Sequence, residues 1–209
     1  EIEEVGSDVS LFKVGDRVTH ASMPIGAYAE KQIMPEDKLV SVPDGVSSEV
    51  ASCITLKGIT AEYLLHRAYP LKKGDKVLYH AAAGGLGQIL CPWANAIGAE
   101  VIGTVGSKEK EEIAKKNGCH HVINYTDKNF VEEVEKIVGK NGIDVVYDGV
   151  GAKTFEGSIE VLKIRGMMVA FGNASGYVDT INVKKHINAK GLFFTRPSIA
   201  HYTVKREEL

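Results

Sequence analysis

The chain has 209 residues, 25 Lys and Arg against 27 Asp and Glu, a formal net charge of -2 and an apolar fraction of 44%. This length and composition exclude a disordered chain, and the balanced charge excludes the broad basic field that nonspecific nucleic-acid or membrane-surface binding needs. No apolar run approaches the ~20 residues that span a bilayer, so no membrane partner is expected and nucleic acid is an unlikely one.

The first residues, Ile2 to Val5, read as the middle of a strand, and Lys205 to Leu209 read as a helix cut short. The chain is therefore expected to be an internal piece of a longer protein, and its start is uninformative about targeting. Residues 1 to about 45 alternate short apolar runs with turns: Gly15-Asp16-Arg17-Val18, Gly26-Ala27-Tyr28-Ala29-Glu30, and Leu39 to Val42 ending at Pro43-Asp44-Gly45. Such spacing suggests part of a β-rich barrel or sandwich. Ser47 or Ser48 then caps a helix carrying Val50, Cys53, Ile54, Ile59 and Leu64, with a break expected at Gly58.

Beyond this the texture becomes strictly alternating. Six apolar runs, Val77 to Tyr79, Val101 to Val105, His121 to Ile123, Val145 to Tyr147, Met167 to Phe171 and Leu192 to Phe194, are separated by helical stretches. Those stretches are Leu86 to Ile97, Glu109 to Asn117, Phe130 to Val138, Phe155 to Leu162 and Val183 to Ala189, with Pro92 predicting a kink in the first. Strands joined by helices pair in parallel, so the fold class is α/β, a doubly wound Rossmann sheet with ligand at the carboxyl ends of its strands. Cys53, Cys91 and Cys119 lack CxxC spacing and His neighbours, and read as buried thiols in a reducing compartment.

The chemistry concentrates after the first of these strands, where His80 runs into Ala81-Ala82-Ala83-Gly84-Gly85-Leu86-Gly87. Gly84 and Gly87 occupy the second and third glycine positions of a dinucleotide fingerprint, with Ala82 at the first. Gly84 would let backbone approach a pyrophosphate, and Gly87 would let the helix pack close to the strand so that its N-terminus meets the anion. The second strand ends in Gly106-Ser107-Lys108-Glu109-Lys110, with no acidic residue to hold a free ribose 2'-hydroxyl. Lysines at a helix start oppose the macrodipole unless an anion is near, which favours a 2'-phosphate and hence NADPH. Alternatively Lys108 and Lys110 belong to a solvated helix face with Glu111, Glu112, Lys115 and Lys116. Tyr125 follows the third strand and either reaches the same phosphate or is an exposed loop aromatic. Asp148-Gly149-Val150-Gly151 and Phe171-Gly172-Asn173 lie at the sheet's carboxyl edge, where the nicotinamide half would sit or ordinary loops would turn. His80 reads as a satisfied buried histidine, and His120 and His121, adjacent on a strand, cannot chelate together. Of Phe193 and Phe194, one is expected in the core and the other beside a ligand.

The motifs Gly15 to Val18, Gly26 to Glu30, Leu56 to Ala61, His80 to Gly87, Gly103 to Ser107, Val122 to Tyr125, Val146 to Asp148, Phe171 to Asn173 and Thr195-Arg196-Pro197-Ser198 closely resemble those of zinc-free quinone oxidoreductases. These form the zeta-crystallin-like group of the medium-chain dehydrogenase/reductase superfamily, in which alanine at the position of Ala82 is usual. The resemblance implies residues 1–50 as the tail of a GroES-like β-rich catalytic domain, 51–197 as a Rossmann NADPH-binding domain and 198–209 as the start of the return to the first. It implies cofactor contacts from Tyr63, Gly85, Leu86, Gly106, Ser107, Lys110, Tyr125, Val150, Phe171 and Phe193, with Thr60 near the nicotinamide. Two features separate the chain from zinc alcohol dehydrogenases: no room for a four-cysteine lobe before Gly26, and Leu56, without a lone pair, four residues before Thr60.

The expected activity is metal-free hydride transfer from NADPH to a quinone or other conjugated carbonyl in a dry cleft between domains, the cofactor carrying the chemistry. No residue stands out as a general acid or base, and no catalytic residue is assigned. Alternatives are reduction of a 2-alkenal or enone at carbon, and a non-enzymatic role as a crystallin-like or RNA-binding protein. The resemblance further implies a cytoplasmic homodimer or higher oligomer.

Overall fold

Strands with no solvent-facing side must be apolar throughout, and the runs at Val77, Val101 and Val145 meet that condition on both faces of one sheet. The computed structural model describes residues 1–21 and 24–209. These divide into two units, Glu1–Thr60 with Ile199–Leu209, and Ala61–Ser198.

In the first unit, β1 (Val18–Thr19) pairs antiparallel with β2 (Val40–Ser41), placing Val18 opposite Ser41. Ile2 adds a backbone exchange with Gly15 and Asp16 at 2.9 and 3.0 Å. Most of the short strands expected before residue 45 are thus irregular segments, held by polar ties. The Glu36 carboxylate accepts the N–H groups of Ser10 and Leu11 at 2.9 and 2.7 Å, and Arg17 donates to the Val46 carbonyl at 2.7 Å. The next helix, α1 (Ser48–Tyr63), starts where Ser47 Oγ accepts the Val50 N–H. It continues unbroken through Gly58, contrary to the expected break, because a single helical glycine costs only about 1 kcal/mol. Cys53 lies exposed on α1, which corrects its reading as a buried thiol, whereas Cys91 and Cys119 are buried. A π-helical turn, Leu64–Ala68, follows, and the Tyr147 hydroxyl donates to its Leu64 carbonyl at 3.1 Å.

The second unit is built on strands β3 (Lys76–His80), β4 (Glu100–Val105), β5 (His121–Asn124), β6 (Ile143–Asp148), β7 (Leu162–Ala170) and β8 (Phe193–Thr195). Every pairing is parallel, in the order β5-β4-β3-β6-β7-β8. The crossovers carry α2 (Gly87–Ile97), α3 (Lys108–Lys116), α4 (Phe130–Val138) and α5 (Phe155–Val161). The last expected helix is a π-helical segment, Val183–Asn188, and the chain returns to the first unit with the short α6 (Ile199–Tyr202). Helix α2 runs on through Pro92.

One face of the sheet packs Leu78, Ile102, Ile123, Val146 and Met168 against Val134, Phe155, Ile159 and Leu192. Phe194 joins this cluster, its ring edge-on to Phe155, while Phe193 is 58% exposed. His120 Nδ1 accepts the Val101 N–H at 3.0 Å and His121 meets Glu100 at 3.1 Å, so both serve the edge of the sheet. The order in which successive strands are added reverses at β3, so that β4 and β5 extend the sheet to one side and β6, β7 and β8 to the other. At that switch point the carboxyl ends of the strands leave a crevice in which a doubly wound sheet binds its ligand.

Candidate functional site

The backbone leaving β3 takes the left-handed conformation at Ala81, with φ of 62°. The strain of the turn therefore lies one residue before Ala82. Ala82 is fully buried, and its methyl lies where a side chain on Gly103 would be: a Cβ built there falls 2.6 Å from Ala82 Cβ and 2.8 Å from Cys119 Sγ. At Gly87 a Cβ would lie 2.3 Å from the Ala82 carbonyl oxygen, so only glycine lets α2 start this close to the turn. The N–H of Gly84 donates to Ala81 O at 2.8 Å, while those of Gly85 and Leu86 donate to no group among the described residues. Free amides at the start of an eleven-residue helix form a receptor for an anion.

Beside this turn stands the tip of β4. Ser107 is extended and its Oγ accepts the Lys110 N–H at 3.4 Å, capping α3. A Cβ on Gly106 would lie 2.6 Å from the Tyr125 hydroxyl, so the phenol rests on the bare backbone of Gly106. Lys108 and Lys110 are exposed and enter no ion pair among the described residues, although Lys115 on the same helix pairs with Glu112 at 3.0 Å. The Glu109 carboxyl is held below its ordinary value by the Ser107 hydroxyl at this cap, so the strand tip carries a phenol on Gly106, two lysines outside any ion pair among the described residues and one carboxylate already engaged.

The third loop leaves β6 at Asp148, which is fully buried and satisfied on both oxygens. Oδ1 accepts the N–H groups of Val150 and Gly151 at 2.8 and 3.0 Å, and Oδ2 accepts the Thr154 and Ser158 hydroxyls at 2.7 and 3.1 Å. The ring of Phe171 lies against Gly149, where a Cβ would sit 2.8 Å from its edge, and stacks on Tyr79 at 6.2 Å between centroids. Arg196 fixes Phe171 by donating to its carbonyl at 2.8 Å.

Gly84, Gly85, Leu86, Gly106, Ser107, Lys110, Tyr125, Val150 and Phe171 therefore line neighbouring loops at the carboxyl ends of adjacent strands. Three other expected residues stand differently. Tyr63 is buried at the end of α1, and Thr60 belongs to the first unit with its hydroxyl bonded to Leu56 O at 2.7 Å. Phe193 is on the edge strand, in line with Met167 and Val145 and below the carboxyl ends. Sequence reasoning did not pair His80, Thr104, Ser158 and Asp148, which join in one buried hydrogen-bond chain. The only signal was a histidine at a strand end; Ser158 lies 78 residues away. Burial holds the His80 ring below the usual imidazole range, the nearby Asp148 charge acting the other way.

Among the described residues no group of three or more His, Cys, Asp or Glu could hold a metal ion, and no helix is long and apolar enough to cross a membrane.

Residues 85–208 match the family described as zinc-binding dehydrogenase. The whole chain aligns at 47% identity with a 2-haloacrylate reductase of Burkholderia sp, covering 63% of that protein, and at 45% with quinone oxidoreductase 1 of Escherichia coli K12, covering 64%. The chain thus spans just under two thirds of these relatives. The crystal structure of Escherichia coli quinone oxidoreductase complexed with NADPH superposes on 99% of this chain and 63% of its own, with a TM-score of 0.95 at 44% identity. The structure of the 2-haloacrylate reductase gives 0.92 at 47% identity over 99% of this chain and 65% of that one. These likenesses bear out both the resemblance drawn from the motifs and the doubly wound fold.

Proposed function

The chain belongs to the zinc-binding dehydrogenase family, and from that premise we propose that it is the greater part of an NADPH-dependent oxidoreductase that reduces a quinone without a metal ion. The observation that carries this reading is the set of residues at the tip of β4. The strand ends on Gly106 with the phenol of Tyr125 against it, Lys110 stands in the first turn of α3, and the nearby carboxylates of Glu109 and Glu111 are taken up by the Ser107 hydroxyl and the Asn124 amide, which suits a doubly charged 2'-phosphate better than a free ribose hydroxyl. The residues fit the cofactor elsewhere too. The open amides of Gly85 and Leu86 and the bare backbone of Gly84 would receive the pyrophosphate, and Val150 and Phe171 would border the nicotinamide half; Thr60, Tyr63 and Phe193 rest on the resemblance alone.

When bound, NADPH supplies the hydride. A quinone spreads the incoming electron pair over its ring and two oxygens, so the protein's task is orientation rather than electrophilic assistance, and water can deliver the proton. Leu56 offers no metal ligand on α1. The resemblance supports residues 1–50 as the tail of a GroES-like domain, 51–197 as the cofactor domain and 198–209 as the return, in a cytoplasmic enzyme that is at least a homodimer. The 47% identity to a 2-haloacrylate reductase favours a second reading, reduction of a conjugated carbon–carbon double bond on the same scaffold.

Titration of the chain with NADPH and NADH, repeated on Lys110→Ala, tests the assignment. A loss confined to NADPH supports it, and equal affinities throughout remove it. Comparing NADPH consumption with a naphthoquinone and a 2-alkenal, using the full-length protein, separates the two acceptors.

A further inference from the structure

Thr104, His80, Ser158 and Asp148 form a buried chain to which the proposed reaction gives no task. His80 is 1% exposed and the other three are fully buried. Its direction follows from the end that can only accept. Asp148 receives the Ser158 hydroxyl proton at 3.1 Å, so Ser158 Oγ is left to accept from His80 Nε2–H at 2.9 Å. Burial disfavours a charged ring, and in the neutral ring with its proton on Nε2 the Nδ1 atom accepts from the Thr104 hydroxyl at 2.9 Å. Only one tautomer satisfies every group, and an unsatisfied group here would be costly.

We propose that His80 is a positioning residue, an Nε2–H imidazole strut that keeps the three cofactor-facing loops in mutual register. The glycine turn begins at the next residue and is tied to β4 by Ala82 N–H donating to the Thr104 carbonyl at 3.0 Å. The β4 tip begins two residues after Thr104. The third loop is organised by Asp148, whose other oxygen holds Val150 and Gly151. One ring thus connects β4, β3, β6 and α5 at the mouth of the crevice. The consequence for binding rests on the NADPH reading; the geometry does not.

The test compares three variants of this chain. Thr104→Val keeps the shape and deletes the hydroxyl, Thr104→Ser keeps the hydroxyl and loses a methyl, and Ser158→Ala cuts the chain at its other end. Amide exchange of Val150 and Gly151 in the ligand-free protein, the tautomer of His80 by 15N NMR, and NADPH affinity are measured. In the wild type His80 is expected as the neutral Nε2–H form. Thr104→Val and Ser158→Ala are expected to speed exchange at both amides about tenfold and to weaken NADPH about tenfold, the scale of one buried hydrogen bond, with Thr104→Ser within about twofold of wild type. An Nδ1–H ring in the wild type, or equal behaviour of Thr104→Val and Thr104→Ser, overturns the proposal. Should Ser158→Ala fail to fold, the Thr104 pair decides alone. A wild-type chain that binds no NADPH sinks the NADPH reading, while exchange and tautomer still judge the strut.

Discussion

Gly87→Ala puts a single methyl where the turn and α2 touch. The added Cβ would stand 2.3 Å from the Ala82 carbonyl oxygen, 2.7 Å from its carbon and 2.9 Å from Ala82 Cα, all backbone atoms. No rotamer change relieves such an overlap, and the helix must retreat from the turn by about 1 Å to restore ordinary contact. Overpacking of this kind costs about 3 kcal/mol, and the better helix propensity of alanine returns about 1. The net loss of about 2 kcal/mol lowers Tm by roughly 4–8 °C for a unit of this size. Trp93, the one tryptophan of the chain, lies in α2 with its ring 5.1 Å from His66 and reports unfolding of this unit by fluorescence. Gln88→Ala is the control: it is exposed in the same turn, donates to Ala83 O at 3.2 Å, and should change stability by less than about 0.5 kcal/mol. NADPH affinity should fall more than about tenfold in Gly87→Ala, because the amides that would receive the pyrophosphate move with the helix. A Gly87→Ala protein as stable as Gln88→Ala would refute the reasoning.

Further outcomes test other parts of the structure. In the native chain a thiol reagent should modify Cys53 quickly and Cys91 and Cys119 only after denaturation; prompt reaction of all three contradicts the burial described, in which the Cys91 thiol is pushed up by its bond to Cys119 and by burial. The Lys190 ammonium donates to the carbonyls of Ile159 and Glu160 at the end of α5 and of Leu162 just beyond it, at 3.2, 2.5 and 2.9 Å. Lys190→Met should therefore cost about 1–2 kcal/mol in urea unfolding followed at Trp93, and an unchanged midpoint would count against this cap. The N–H groups of Leu11 and Ser10 hold the Glu36 carboxyl below its ordinary value of 4.5. Its stabilising contribution is thus complete above pH 4.5 and disappears as pH falls through the lower folded value. The amide resonances of Ser10 and Leu11 should titrate with a midpoint below 4.5 and lose that transition in Glu36→Gln; a midpoint at or above 4.5 would show that the carboxyl is not held this way.

The Rossmann portion was legible because its strands are buried on both faces, so apolar runs and intervening helical periodicity both survive in the sequence. All six strands appear where expected, and α4 begins at Phe130 and ends at Val138 as read. The first 45 residues were less so, since their order comes from side-chain ties such as Glu36 to Ser10 and Leu11, across 26 and 25 residues, rather than from a strand pattern. The glycine turn was placed correctly, yet its left-handed residue is Ala81, a position at which composition favours no such conformation. The His80 chain was invisible for a similar reason: Thr104, Ser158 and Asp148 are unremarkable singly, and only the parallel register brings them within reach. The places of Tyr125 and Lys110 in the fold were readable because the first follows β5 directly and the second stands in the opening turn of α3.

The contact between Ala82 and Gly103 makes three positions share one allotment of space. A larger residue at 103 meets both the Ala82 methyl and the Cys119 sulfur, so shrinking either neighbour alone leaves the other obstruction in place. Tolerance at 103 is thereby conditional on what stands at 82 and 119 together, and exchanges at these sites should be strongly non-additive, each harmful by itself and accommodated only as a matched set.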